Sequence, residues 1–300
     1  MCKHHSILDR SNKEQSADSK TGLIFFGLTL LFSVSAAQAF DLDWQKVLQN
    51  GGQTLQKIQQ ANKPVTEAQE IELGHGIASN LLGASPLLDN QRAQVYVNQV
   101  GRWLSLQTDR PDLPWQFGVL ASTDLNAFAT PGGTIFITKG LLLRLTNESE
   151  LAGVLAHEMV HVLSKHHLAA LQKAARMNIA SDLASEAIND KGNPLLDKAV
   201  KAGTEVYARG LDKDDEFEAD RKGIVIATRA GYDPYGLPAV LQMLDAANAK
   251  DSSLALMFKT HPAPRDRLNL LDKIMANKFD GYSVPSQTDK RYSSEIVQLK

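Results

Sequence analysis

Cysteine is almost absent from this chain. Cys2 is the one thiol among 300 residues, which rules out an internal disulfide, a cysteine-based zinc site and a thiolate-held iron–sulfur cluster. Any metal the chain holds must therefore rest on His, Asp or Glu. An excess of one charge is equally lacking: the formal net charge is -2, with both signs mixed along the sequence. No basic patch marks a nucleic-acid partner, and no polybasic run marks anionic lipid. There is no internal repeat, low-complexity tract or clear linker, and no apolar run reaches the roughly 20 residues of a membrane-spanning helix. What remains, 43% hydrophobic and 22% charged, is the composition of an ordinary globular protein.

The stretch from Gly22 to Val34 is apolar, follows Lys20 and leads to Ala37-Gln38-Ala39, a small-x-small cleavage signal. That order predicts a secretory signal peptide over residues 1–39, cleaved after Ala39. The alternative is an uncleaved membrane anchor through 22–38. Residues 1–19 form a long mixed-charge leader, which also fits a start codon assigned too far upstream. Cys2 precedes the apolar stretch, so cleavage leaves a mature chain without cysteine.

The remaining residues suffice for one domain with a sizeable core. Residues 40–65 are polar and helix-prone, interrupted at Gly51-Gly52. From Thr66 to Leu106 the apolar spacing is helical, through Ile71, Leu73, Ile77 and Leu81, then Val97, Val100 and Leu104, until Pro111 and Pro114 break it. Two strand signals follow. Phe117 to Leu120 is one, and Thr134 to Thr138, entered through the turn Pro131-Gly132-Gly133, is the other. Beyond Thr146 nearly everything reads as helix, until a polar, extended tail over 277–300. The fold class is α+β, predominantly α-helical with a small β-sheet, and residues 66–276 form the main domain.

One helix carries the chemistry. Asn147 can cap its start, with Glu150 as reciprocal partner. The run from Leu151 to Leu163 is apolar on nearly all sides, which predicts a buried helix. Set into it are His157, Glu158 and His161. Burying three such groups without partners costs several kcal/mol, of order, and a metal ion compensates directly. Residues four apart share a helix face, so His157 and His161 can offer imidazole nitrogens to one zinc ion. Glu158 points about 100° away, where it can take a proton from water, the general-base role of an H-E-x-x-H motif.

The third ligand is less local. His167 has the spacing that metzincins use, but those enzymes need a glycine where this chain has Ser164. Leu163, Ser164 and Lys165 are compatible with a continued helix, on which His167 lies out of reach of the ion. His166 and His167 then read as helix-end histidines. A better source is Asp212 to Asp220, which opens another helix capped by Asp212. There Glu216 and Asp220 share a face, so that one can ligate zinc while the other orients a ligating histidine.

These segments together resemble the M48 family of zinc metallopeptidases, the gluzincin group that includes the CAAX prenyl protease and periplasmic bacterial members. The ordered segments are Tyr96 to Gly101, Asn126 to Gly133, Lys139 to Leu142, HEMVH at 157–161 with His166, EFEAD at 216–220 with Gly223, and Thr260-His261-Pro262 with Arg267. The resemblance implies a zincin-like domain with one Zn2+ per chain, Glu216 as third ligand and Asp220 behind a ligating histidine. It implies that the strand around 134–138 is a sheet edge that binds extended peptide, with low sequence specificity. It places His261 and Arg267 beside the cleft, where a cation or ring N–H could stabilise an oxyanion. Alternatively, neutral His261 could fill the fourth zinc position as a latch.

The expected function is zinc-dependent endopeptidase action in the periplasm, on unfolded or misassembled envelope polypeptides, with peripheral association with the envelope membrane as an option. Nucleic acid is not an expected partner. A chaperone or assembly factor that keeps the fold but rarely cuts is the alternative, and the intact Glu158 speaks against it. Residues 184–207 carry an apolar helical face that suits either core packing or a lid over the cleft.

Overall fold

The structure, a computed structural model, describes residues 64–182, 210–247, 252–261, 264–282, 287–296 and 299. The expected signal peptide, the 40–65 segment up to residue 63 and the candidate lid at 184–207 lie outside the described residues.

The first helices come from the apolar spacing noted above. Helix α1 (Glu67–Ala84) is closed by a capping box in which Thr66 and Gln69 satisfy each other's backbone N–H groups. Helix α2 (Gln91–Ser105) is capped by Asn90 and buries Tyr96, Val97, Val100 and Leu104. Three strands follow: β1 (Gln116–Leu120), β2 (Ala127–Thr130) and β3 (Thr134–Thr138). The sheet order is β1-β3-β2, with β1 parallel and β2 antiparallel to β3. The 134–138 strand is therefore the centre of the sheet, and the expectation that it forms an edge is corrected. Its five residues are all buried, as a strand flanked on both sides requires. The outer strands are β1 and β2, and among the described residues β2 pairs with β3 alone, Phe128 opposite Phe136. Gly132 and Gly133 make the tight β2–β3 turn at φ 78° and 104°, a conformation that strains any residue with a Cβ.

A short helix α3 (Lys139–Arg144) leads into α4 (Glu148–Leu163), the central element. Every residue from Glu148 to Val162 is buried, as the all-round apolar pattern requires. Leu151, Leu155 and Met159 are fully enclosed, each contributing about 1.5–3 kcal/mol by removal from water. Asn147 Oδ1 accepts from the Glu150 N–H at 2.9 Å. The return bond reaches one residue further than the capping box predicts, with the Glu150 carboxylate accepting the Thr146 N–H at 2.7 Å.

Helices α5 (His166–Asp182), α6 (Lys213–Arg229), α7 (Gly236–Ala246), α8 (Ala255–Thr260), α9 (Pro264–Met275) and α10 (Gln287–Ile296) complete the described chain. Helix α4 packs against α6, α7, α2 and β2. Asp212 occupies the N-cap position of α6 but makes no side-chain cap bond there, contrary to the sequence reading. The expected extended tail contains α10, which docks on the core. Tyr292 is buried and donates to the Leu142 carbonyl, while Arg291 pairs with the fully buried Glu148. Two phenols also donate to Glu148, Tyr96 at 2.8 Å and Tyr232 at 2.9 Å.

Candidate metal centre

Helices α4 and α6 cross where Gly223 meets the α4 backbone. A Cβ at Gly223 would lie 3.0 Å from the His157 nitrogen, so any larger residue would push the helices apart by a few tenths of an ångström. That approach aligns the His157/His161 face of α4 with the Glu216/Asp220 face of α6. The Nε2 atoms of His157 and His161 face each other at 3.1 Å. Each lies 3.5 Å from a different oxygen of Glu216.

Behind this face the groups are braced. His157 Nδ1 lies 3.0 Å from Asp220 Oδ1 and 3.3 Å from Arg267 Nη2. Asp220 is gripped by both prongs of the Arg267 guanidinium, with Nε at 2.7 Å from Oδ2 and Nη2 on Oδ1. Arg267 also places Nη1 at 3.4 Å from Glu216. It projects from the first turn of α9, as the sequence predicts, and is 3% exposed. His261 is the extended residue that ends α8. Its Nδ1 lies 2.8 Å from Glu216 Oε2 and its Nε2 3.9 Å from Glu158 Oε1. His157, His161, Glu216 and His261 thus form one group whose ligand-capable atoms all lie within 4.8 Å of one another.

The electrostatics follow from burial and these partners. Burial pushes the Glu158 carboxyl above its usual range, against the opposing pull of His261 and His157. Burial drives His161 well towards neutrality, and drives His167 down to about 3. Glu216 and Asp220 resist burial. His261 and His157 hold the first well below the carboxylate range, and Arg267 holds the second below it. Burial and Arg267 oppose a proton on His157, yet the hydrogen bonds to Asp220 and Glu216 outweigh them and raise it to about 9.

The donor set fits a metal ion. Glu216 Oε1 is buried with no hydrogen-bond partner among the described residues, which costs about 1–3 kcal/mol or more for a charged group. The two facing Nε2 atoms can satisfy each other only if one carries a proton. A single divalent cation between them would meet both imidazole lone pairs and the unpartnered oxygen. Two histidines and one carboxylate form a recurrent protein ligand set for such a cation.

Comparison with known proteins agrees. A model of peptidase family M48 matches residues 91–275. The chain belongs to this family. The beta-barrel assembly-enhancing protease of Escherichia coli (strain K12) is 31% identical over 255 residues, covering 80% of this chain and 52% of that protein. The same-named protease of Yersinia pestis is 31% identical over 208 residues, 67% of this chain and 43% of its own. The mitochondrial metalloendopeptidase OMA1 of Schizosaccharomyces pombe is 26% identical over 180 residues, 60% of this chain and 52% of its own. The chain spans about half the length of the curated relatives it matches.

Two recesses flank Glu158 in this M48 domain. One is lined by the edge strand at Ala127 and Phe128, with His167, Thr260 and His261. The other is apolar, with Val154, Leu237, Val240, Leu241 and Met257 around His157 and Glu158. His261 borders both. The sequence reading missed β2 as an element, although the quoted Asn126–Gly133 motif contains it, because Ala127-Phe128-Ala129-Thr130 is too short and small to show alternation. It also missed the chain break after α4. Lys165 is left-handed at φ 58°, so α5 starts afresh at His166, and His166 and His167 turn inward against His161.

Proposed function

We propose that the chain is a zinc-dependent endopeptidase, with His157, His161 and Glu216 holding one Zn2+ and Glu158 serving as general base. The observation that carries this reading is the buried convergence of two imidazole Nε2 atoms on the Glu216 carboxylate, whose Oε1 has no hydrogen-bond partner among the described residues, with Glu158 next to His157 in the chain. A zinc ion bound there supplies Lewis acidity, polarising the scissile carbonyl and lowering the pKa of water.

The chain's own residues do the rest. Glu158, raised by burial, accepts a proton from the attacking water and returns it to the leaving amine. Asp220 holds His157 so that its Nε2 faces the ligand position, and Arg267 locks Asp220 in place. His261, against both Glu216 and Glu158, is placed to donate to a developing oxyanion or to hold the site closed. Strand β2 borders the Glu158 recess, so an extended peptide bound beside it would pass the general base and be read chiefly through its main chain. Main-chain reading suits unfolded or misassembled polypeptides as substrates. The relatives from E. coli and Y. pestis are named for enhancing beta-barrel assembly, and we take misassembled envelope proteins as the substrate class, in line with export through the 1–39 leader. Among the described residues no helix is long and apolar enough to cross a membrane.

The test is purified protein with unfolded casein. Glu158→Gln should retain zinc but lose cleavage, whereas His157→Ala and His161→Ala should lose both. A Glu158→Gln protein with wild-type turnover would falsify the mechanism. Suppressed aggregation without cleavage products by the wild-type protein would favour an assembly factor instead.

A further inference from the structure

We infer that His166 is a positioning residue that fixes the tautomer and orientation of His161. The inference rests on the reading of His161 as a metal ligand, and it begins with the backbone. Helix α4 ends at Leu163, and Lys165 adopts φ 58°, a left-handed conformation costing a non-glycine residue about 1–2 kcal/mol. The Lys165 ammonium lies 3.0 Å from Glu70, a buried carboxylate that also accepts from Arg110 at 3.0 Å and from the Gly132 N–H at 3.3 Å. The side chain of the strained residue is thus tied to a carboxylate that two further donors hold in place. The strain has a structural result: the chain turns back, and His166 packs its ring 5.1 Å from that of His161.

The contact is specific. His161 Nδ1 and His166 Nδ1 are 2.9 Å apart, both rings buried. His166 Nε2 faces the opposite way, 3.6 Å from Asp215 and 4.0 Å from Glu218 on α6, the helix that carries Glu216.

Proton accounting leaves one arrangement. His161 directs Nε2 at His157 and Glu216, so ligation from Nε2 requires a neutral ring with its proton on Nδ1. That N–H donates to His166 Nδ1, which must then be the bare nitrogen of its own ring. Neutral His166 consequently carries its proton on Nε2, towards the carboxylates of Asp215 and Glu218. His166 therefore does for His161 what Asp220 does for His157, using an imidazole in place of a carboxylate. Supporting groups of this kind fix ligand orientation, and their loss typically weakens metal binding by about 10- to 100-fold.

The experiment measures zinc affinity by chelator competition in the full chain, alongside thermal unfolding of the metal-free protein. His166→Ala should weaken zinc binding about 10- to 100-fold. His166→Gln, whose amide oxygen can accept the His161 Nδ1–H, should restore most of the loss. In the zinc-loaded wild type, nitrogen-15 NMR should find the His161 proton on Nδ1 and the His166 proton on Nε2. Wild-type affinity in His166→Ala, an equal loss in Ala and Gln variants, or a His166 proton on Nδ1 each overturns the proposal while leaving the metal reading intact. If His161→Ala itself kept full zinc affinity, the metal reading would fall first and this proposal with it.

Discussion

Replacing Gly223 by alanine tests whether the crossing of α4 and α6 sets the geometry of the metal centre. The added Cβ would meet the His157 nitrogen at 3.0 Å, the His157 Cα at 3.1 Å and the Ala156 carbonyl carbon at 3.2 Å, where ordinary contact begins at 3.4 Å. All three are backbone atoms of a fully buried helix, so no side chain can swing away. Helix α6 must retreat by about 0.4 Å, the gap between 3.0 and 3.4 Å, and Glu216 and Asp220 move with it. Overpacking of this kind costs about 1–3 kcal/mol, offset by the roughly 0.5–1 kcal/mol that alanine gains over glycine inside a helix. Gly83 in α1 is the matched control, because a Cβ there meets nothing within 4 Å. Gly83→Ala should hold or raise Tm. Gly223→Ala should lower Tm by several degrees, at roughly 2–4 °C per kcal/mol for a domain of this size, and should weaken zinc binding. Differential scanning calorimetry and chelator competition read the two effects. Gly223→Ala protein that is as stable as Gly83→Ala and binds zinc like wild type would show that the helix approach is not what positions Glu216.

Glu216→Ala should release zinc, and Asp220→Ala should weaken it by about 10- to 100-fold; metal analysis after dialysis separates the two. For His261→Ala, a turnover number lowered roughly 100-fold indicates loss of an oxyanion donor, whereas raised basal proteolysis indicates that His261 holds the site closed. Wild-type kinetics in both His261→Ala and Arg267→Ala would leave both residues purely structural. Zinc binding should also release a proton at neutral pH, because His157 is held protonated up to about 9 in the metal-free site and must be neutral to ligate. Affinity should therefore fall about tenfold per pH unit below that value, and calorimetry in buffers of different ionisation enthalpy should count about one proton.

What could be read from the sequence was local. His157, Glu158 and His161 lie within two turns of one helix, so spacing and an apolar background were enough to group them. The burial of α4 and the strand at 134–138 were legible for the same reason. Glu216 was narrowed to a pair with Asp220 by spacing, and singled out only through the family resemblance. The position of 134–138 within the sheet was not legible, because the neighbouring strand β2 carries no alternation. Neither was the turn at Lys165, a residue type with no preference for positive φ, and with it went the inward placement of His166. The docking of α10 was hidden too: Glu148 is buried because Tyr96, Tyr232 and Arg291 converge on it from three distant segments.

The reach of the proposed ligand set along the chain has a further consequence. Two ligands come from α4, while Glu216 lies 55 positions beyond His161. A metal held by all three is thus a cross-link that closes a long loop in a chain whose one cysteine, Cys2, allows no internal disulfide. In a chain-entropy model, closing a loop of that length restricts the unfolded ensemble by about 4 kcal/mol. An ion placed there to activate water would also serve as the staple that a disulfide provides elsewhere, and chelation would remove catalytic capacity and conformational restraint together.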